Sequence, residues 1–137
     1  MKGVYPVIFT KTNENILVEI PDWEIFTEGK DIADAIEMAR DAIGLKGVVL
    51  EDEGKELVKP SLIHQITSSK SVFDGEGESI ISMVDVDFTE YRRKNENKAV
   101  RRNVTIPNWL NLEVERAHIN VSRVLQEALM AKLNIYR

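Results

Sequence analysis

The chain has 137 residues, of which 43% are hydrophobic and 30% are charged, and none is a cysteine. A chain of this length and composition holds one ordinary domain or two small ones with a buried core. The lack of cysteine excludes disulfides and thiolate metal sites. No apolar run approaches the roughly 18 residues that a membrane-spanning helix needs. We therefore expect a soluble, cytoplasmic protein that does not enter a membrane.

Charge is distributed unevenly along the chain. The net charge is −5, but residues 1–90 carry 8 Lys or Arg against 19 Asp or Glu, a net of −11. Residues 91–137 carry 10 Lys or Arg against 4 Asp or Glu, a net of +6. Such a division predicts two modules with partners of opposite charge, a basic protein for the front and phosphates for the tail.

The front of the chain shows strand signals and then one helix. Runs of β-branched and aromatic residues predict strands over residues 4–10, Ile16–Ile20 and 23–27. Asp31 is suited to cap a following helix, and Gly44 is a natural C-terminal stop for it. The apolar residues of this helix recur on one face, at Ile32, Ala35, Ile36, Ala39, Ala42 and Ile43.

Residues 51–79 give weaker signals. We expect a brief element over residues 62–66, an exposed loop over residues 68–79, and a strand over residues 80–88. Alternation within this strand turns Val84, Val86 and Phe88 inward and Asp85 and Asp87 outward. The charged residues 91–98 show no apolar periodicity and are predicted to link a domain of residues 1–90 to a tail of residues 99–137.

Carboxylates and histidines do not combine into a catalytic or metal site in this sequence. Asp85 and Asp87 suggest metal-dependent nuclease chemistry, which needs carboxylates converging from several elements. The first predicted strand offers none, so we expect both carboxylates to be solvated. His64 and His118 are the only histidines and lie in different modules. We predict no catalytic residue, no metal and no cofactor, and expect His118 near the C-terminus of a helix, where a cation is mildly favoured.

The tail combines one alternating strand with two short helices. The strand is predicted over residues 100–106 and ends at Pro107, and Asn108 is suited to cap a helix over residues 109–118. Asn120 is suited to cap a second helix over residues 121–133. The apolar strand face consists of Val100, Val104 and Ile106. One short strand and two helices cannot bury their apolar faces alone, so we expect the tail to dimerise by strand pairing.

The polar face of the predicted strand is the strongest candidate for DNA binding. A paired β-ribbon fits the major groove, where Arg101, Asn103 and Thr105 can reach base edges. A solvated edge strand is the alternative. The start of the second helix favours a phosphate, although capping alone would also explain Asn120. The predicted phosphate contacts are Lys98, Arg102, Asn120, Val121, Ser122 and Arg123, and Arg102 could instead extend along the dimer edge.

The tail and the front both resemble one family. VRRNVTIPNWL and INVSRVLQEAL resemble the ribbon-helix-helix superfamily and, more closely, the C-terminal part of HicB antitoxins. YPVIF, ILVEIPD and FTEGKDIADAIEMARDAI resemble the HicB N-terminal domain. The resemblance implies an α+β protein, with a partial RNase H-like β-β-β-α-β domain followed by a ribbon-helix-helix domain. Two departures are Arg102, where the family usually has an apolar residue, and Trp23-Glu24-Ile25, where relatives often carry a Pro-Gly-Cys-type turn.

The resemblance also implies a function, that of a type II antitoxin. The front would mask a HicA-type toxin, a small basic RNA-cleaving protein, and the tail dimer would bind operator DNA and repress its own operon. The partners would be the toxin, double-stranded DNA and a second copy, with a higher assembly on toxin binding. The candidate toxin contacts are Asp22, Trp23, Glu24, Phe26 and Glu28, and Trp23 could equally be a core residue. The alternative function is a free-standing ribbon-helix-helix repressor with a small-molecule-sensing front domain.

Overall fold

The protein is described here by a computed structural model that covers residues 1–135. It divides into two compact units, Met1–Lys98 and a second unit that begins at Ala99. The first unit combines a sheet with two α-helices, and the helices of the second unit follow in sequence. Within the described residues, no helix has the length and apolarity needed to cross a membrane.

A four-stranded antiparallel sheet forms the frame of the first unit. Its strands are β1 (Lys2–Lys11), β2 (Ile16–Ile20), β3 (Ile25–Gly29) and β4 (Glu78–Asp87), in the spatial order β3-β2-β1-β4. The four strands predicted within residues 1–90 are therefore present. Strand β1 extends beyond its predicted bounds at both ends, whereas β4 begins earlier than predicted and ends at Asp87, before Phe88. Strands β3 and β4 form the two edges of the sheet.

The third strand begins later than predicted. Residues Pro21–Trp23 form a single 3-10 turn, because proline fixes a backbone angle that suits a first helical position. Glu24 ends this turn in the left-handed conformation, with φ of 53°. The chain can therefore enter β3 only at Ile25, and Trp23 lies outside the strand.

Helix α1 (Ile32–Asp52) packs across one face of the sheet. It begins as predicted, because the Asp31 side chain accepts a hydrogen bond from the Asp34 backbone N–H at 2.8 Å. The prediction that Gly44 ends the helix is wrong, since α1 continues for two more turns. Gly44 instead admits the ring of Tyr91, because a Cβ there would lie 2.4 Å from its Cδ2 atom.

Helix α2 (Phe88–Asn95) occupies most of the segment predicted as a linker. Asp87 caps it, and the buried Phe88 anchors it in the core. Near its middle, the Arg92 guanidinium forms ion pairs with Glu51 at 3.4 Å and Asp52 at 3.0 Å in α1. Residues 91–95 therefore form a packed helix rather than an open linker. With so few apolar side chains facing α1, apolar periodicity could not reveal it.

The core lies between α1 and the sheet, and a long connection follows α1. The buried residues of this core are Tyr5, Val7, Phe9, Val18, Ile20, Trp23, Ala35, Ala39, Ile43, Val84, Val86 and Phe88. The inward orientation predicted for alternate residues of β4 is thus confirmed. The connection includes the 3-10 turns Ile63–Gln65 and Ser68–Lys70. The connection contacts the sheet at Glu19. This residue lies on the face opposite the core, because its strand neighbours Val18 and Ile20 point into the core.

The second unit contains helices α3 (Asn108–Arg116) and α4 (Val121–Lys132). The predicted cap of α4 is confirmed, because the Asn120 side chain accepts the Arg123 backbone N–H at 3.1 Å. The predicted cap of α3 is wrong, since Pro107 occupies the capping position without a side-chain bond and Asn108 is already helical. His118 follows α3 with φ of 54°.

The residues before α3 are not paired with another strand. No strand is assigned between Glu96 and Pro107, so the strand predicted over residues 100–106 is absent from the single chain. A strand requires a backbone partner, and the partner predicted from the sequence was a second copy. No residue between Ala99 and Ile135 is buried. The unit therefore leaves its apolar faces in solvent.

Candidate DNA- and partner-binding surfaces

The three predicted base-contacting residues lie in the unpaired stretch before α3. Arg101, Asn103 and Thr105 are all exposed. None of them forms a hydrogen bond or an ion pair with another residue in the described part of the chain. Their polar groups are therefore available for a ligand.

The start of α4 brings together four of the predicted phosphate contacts. Asn120, Val121, Ser122 and Arg123 occupy the cap and the first turn, and all four are exposed. The Asn120 side-chain oxygen is engaged by capping, so the remaining backbone N–H groups of this turn are the groups that can donate to an anion. The Arg123 guanidinium lies 3.2 Å from a Glu127 carboxylate oxygen.

Lys98 and Arg102 are the other two predicted phosphate contacts. Both side chains are exposed, Lys98 at the end of the first unit and Arg102 in the unpaired stretch of the second. Neither has an intramolecular ion pair in the described chain. Both cations are therefore uncompensated.

The five candidate toxin contacts divide into two groups. Asp22 and Trp23 have structural roles, because the Asp22 carboxylate accepts the Ser61 N–H at 2.7 Å and its hydroxyl at 2.6 Å. Glu24, Phe26 and Glu28 are exposed. The candidates do not form one continuous surface.

Trp23 occupies the core, the second of the two alternatives considered from the sequence. It is 2% exposed, and its ring packs edge-on against Tyr5 with centroids 5.3 Å apart and against Phe88 at 6.2 Å. Its backbone carbonyl accepts a hydrogen bond from the Lys46 ammonium at 2.8 Å. An indole in this position is inaccessible to a partner.

Phe26 packs against a half-buried aromatic neighbour that the sequence did not reveal. Its ring packs edge-on against Phe73, with centroids 5.9 Å apart. The hydroxyl of Ser71 donates to the Glu19 carboxylate at 2.6 Å, which holds this part of the connection against β2. Residues 71–73 carry no periodic pattern, so only the folded chain brings Phe73 beside Phe26.

Asp85 and Asp87 have structural partners rather than a metal-site arrangement. Arg40 donates a hydrogen bond to the Asp85 carboxylate at 2.8 Å, and this bond and its charge lower the pKa of that carboxyl. Asp87 accepts the Glu90 backbone N–H at 3.1 Å. Within residues 1–135, no group of three or more His, Asp or Glu side chains is placed to hold a metal ion.

A cleft of about 460 Å³ lies where the β1–β2 turn meets the start of α1 and of β4. Its apolar lining includes Phe9, Ile16, Ile32 and Ile80. A repressor with a small-molecule-sensing front domain, the alternative function, would need such a cleft. Its lining also includes charged residues of both signs, Lys11, Glu14, Lys30, Asp31 and Glu78.

Comparison with known proteins identifies the family. A family model described as the HicB-like antitoxin of bacterial toxin-antitoxin systems matches residues 5–133. This chain belongs to the HicB-like antitoxin family. The comparison with curated proteins found no match.

Solved structures of toxin-antitoxin proteins resemble this HicB-like chain. A toxin-antitoxin complex from Streptococcus pneumoniae matches with 28% identity and a TM-score of 0.61, over 96% of this chain and 99% of the other. A HicA3 and HicB3 toxin-antitoxin complex matches with 28% identity and a TM-score of 0.50, over 62% of this chain and 99% of the other. The Burkholderia pseudomallei antitoxin HicB shares the fold, with 24% identity and a TM-score of 0.53 over 98% of each chain. The resemblance read from the sequence is confirmed at the level of the family.

Proposed function

We propose that this chain is the antitoxin of a type II toxin-antitoxin system. Its first unit binds and masks a HicA-type RNA-cleaving toxin, and its second unit dimerises, binds operator DNA and represses the operon. The protein acts by steric masking and repression rather than by catalysis. Family membership and the likeness to a HicA3 and HicB3 complex support this proposal.

The observation that carries the dimeric, DNA-binding part is that no residue between Ala99 and Ile135 is fully buried. The exposed apolar side chains include Val100, Val104, Ile106, Trp109, Leu110, Leu112, Ile119, Val121, Val124, Leu129 and Leu133. A unit of about forty residues cannot remain folded with its apolar surface in water. Pairing residues 100–106 with the same residues of a second copy would satisfy the free backbone groups and bury one strand face.

The dimer is tested by sedimentation of the full chain at micromolar concentration. We expect twice the monomer mass, and we expect Val104→Lys to shift the chain towards monomer because a charge would enter the buried strand face. Arg101→Lys, a change on the opposite strand face, should leave the dimer intact. A compact wild-type monomer would contradict the ribbon-helix-helix proposal.

In the proposed dimer, Arg101, Asn103 and Thr105 read base edges. Arginine and asparagine form bidentate hydrogen bonds with guanine and adenine in the major groove. Arg101→Ala should therefore weaken binding to DNA from upstream of the gene by about 1–3 kcal/mol, with less effect on shuffled DNA. Lys98→Ala should weaken both DNAs alike and lower the salt dependence, because it removes a phosphate contact. If Arg101→Ala weakens binding to both DNAs equally, Arg101 does not contact base edges.

The other proposed phosphate contacts are Arg102, Asn120, Val121, Ser122 and Arg123. The backbone at the start of α4 donates to phosphate, with Arg123 and Arg102 adding charge. Arg123→Ala should reduce affinity on specific and shuffled DNA by the same factor. The matched control is Arg116→Ala in α3, which also removes an arginine paired with a glutamate on its own helix.

The toxin-masking role belongs to the first unit. Residues 1–98 carry 12 Lys or Arg against 20 Asp or Glu, a net of −8. An acidic unit of this kind steers a basic partner into contact. We expect the full chain to inhibit RNA cleavage by the HicA-type toxin encoded beside it, and to restore growth when the two are expressed together. A folded chain that neither binds nor inhibits that toxin would refute the antitoxin proposal.

A further inference from the structure

An exposed apolar patch lies on the β3 side of the first unit, on the sheet face opposite α1. The exposed Phe26 and Val72 and the half-buried Phe73 form it, and we refer to these three residues as the aromatic patch. Phe26 is 51% exposed and Val72 is 65% exposed. A large aromatic side chain left half in water has no role in the core of its own chain.

The aromatic patch is held in place by a buried polar contact. The Glu19 carboxylate accepts the Ser71 hydroxyl at 2.6 Å and the Val72 backbone N–H at 3.1 Å. Glu19 lies opposite Phe26 in the pairing of β2 with β3. Residues 72 and 73 are therefore fixed beside Phe26 before a partner binds. This reduces the loss of conformational entropy on binding.

Acidic side chains neighbour the aromatic patch along the chain and lack cationic partners. Glu24 and Glu28 flank Phe26 along the chain, and Asp74 follows Phe73. None of these carboxylates forms an ion pair within the described residues. Glu28 accepts only the Asn15 side-chain amide, at 2.6 Å. An apolar centre with an acidic rim fits a basic protein surface that presents an apolar side chain.

We propose that the aromatic patch is the docking site of the HicA-type toxin on this chain, an inference that rests on the proposed function. A basic toxin complements the uncompensated rim, whereas a second copy of this chain would bring the same acidic rim against it. Phe26 is the apolar anchor, and the acidic rim increases the rate at which the toxin associates. The site therefore uses Glu24, Phe26 and Glu28 of the candidates from the sequence and replaces Trp23 with Phe73.

The test measures binding of the full chain to the HicA-type toxin encoded beside it. Phe26→Ala should raise the dissociation constant at least about tenfold, mainly through faster dissociation, as for a central aromatic anchor. The matched control is Leu45→Ala, which truncates a side chain of similar exposure (56%) on the outer face of α1. This control should change the dissociation constant less than about twofold.

A second set of variants does not depend on the aromatic ring. Val72→Ser should weaken binding by a smaller factor in the same direction. The double variant Glu24→Gln with Glu28→Gln should slow association and reduce its salt dependence while dissociation stays nearly constant. Its matched control is Glu37→Gln, an exposed acid on α1.

The outcomes separate the docking site from the antitoxin function. If the wild-type chain binds the toxin and Phe26→Ala, Val72→Ser and the double variant bind equally well, the docking site is overturned and the antitoxin function stands. If the wild-type chain does not bind this toxin, both are overturned. If Phe26→Ala fails to fold, Val72→Ser and the double glutamine variant decide the matter alone.

Discussion

Replacing Trp23 by alanine tests the internal organisation of the first unit. Trp23 joins the turn before β3 to both Tyr5 of β1 and Phe88 of α2, and it is 2% exposed. Truncating a buried tryptophan removes its transfer free energy and leaves a cavity, which together cost about 3–5 kcal/mol. We therefore expect Trp23→Ala to destabilise the first unit by that amount.

A second substitution refines the estimate. The Trp23 indole Nε1 is buried without a hydrogen-bond partner among residues 1–135. An unsatisfied buried donor costs about 1–3 kcal/mol, which reduces the net contribution of the indole. Trp23→Phe removes this donor and keeps an aromatic ring between Tyr5 and Phe88. It should therefore cost much less than Trp23→Ala.

The assay is thermal unfolding of the full chain followed by circular dichroism, with hydrogen exchange of the β1 amides to assign the transition to the first unit. For a unit of this size each kcal/mol corresponds to about 4–8 °C, so Trp23→Ala should lower its melting temperature by at least about 12 °C. The control is the half-exposed Phe26→Ala, whose shift should be far smaller. Unchanged melting in Trp23→Ala combined with lost toxin affinity would refute the core assignment and restore Trp23 as an anchor.

Three further changes test the packing, the electrostatics and the capping of the chain. Gly47→Ala should destabilise by about 1–2 kcal/mol in urea unfolding, because its Cβ would lie 2.3 Å from Phe88 Cε1 and this overlap outweighs the gain in helix propensity. Arg40 lowers the pKa of Asp85 from 3.8, so the stability difference between wild type and Asp85→Asn should be present at neutral pH. It should disappear as the pH falls below 3.8 through the folded-state pKa, and a difference that persists in acid would contradict the ion pair. Asn120→Ala should cost about 0.5–2 kcal/mol and speed hydrogen exchange in α4, and unchanged exchange would rule out the cap.

Local signals predicted those elements whose stability is decided locally. Asp31 and Asn120 cap their helices as expected, because a capping bond involves residues only three apart. The strands were predictable for a related reason, since alternation in β4 follows from one buried face. Capping and alternation both depend on nearest neighbours, so the sequence displays them directly.

Two predictions that failed, the end of α1 at Gly44 and the open linker, depended on contacts between distant elements. Gly44 would end an isolated helix, but in this fold it makes room for Tyr91 of α2. Helix α2 lacks an apolar stripe because the buried Phe88 and the ion pairs of Arg92 with α1 hold it instead. Ion pairs between residues so far apart in the sequence produce no periodic pattern in the sequence of α2. Such elements can be found only once α1 and the sheet are in place.

The candidate sites follow the same rule. Arg101, Asn103 and Thr105 could be proposed from the sequence because alternation in the predicted strand would place them on one face. The aromatic patch could not, because Phe73 reaches Phe26 only through the connection that Glu19 holds against β2. Aromatic composition near β3 could therefore not separate the buried Trp23 from the exposed Phe26.

The two units of this chain reach stability by different routes, and this difference bears on the proposed function. The first unit buries a continuous core and can present a fixed surface as a single chain. The second unit buries no residue between Ala99 and Ile135, so its folding and its proposed dimerisation form one equilibrium that depends on concentration. Under the proposed function, a scarce antitoxin would consequently lose operator binding before it loses the proposed toxin-docking surface. Derepression of the operon would then begin while the remaining antitoxin still masks toxin, because in this proposal only DNA binding requires two copies.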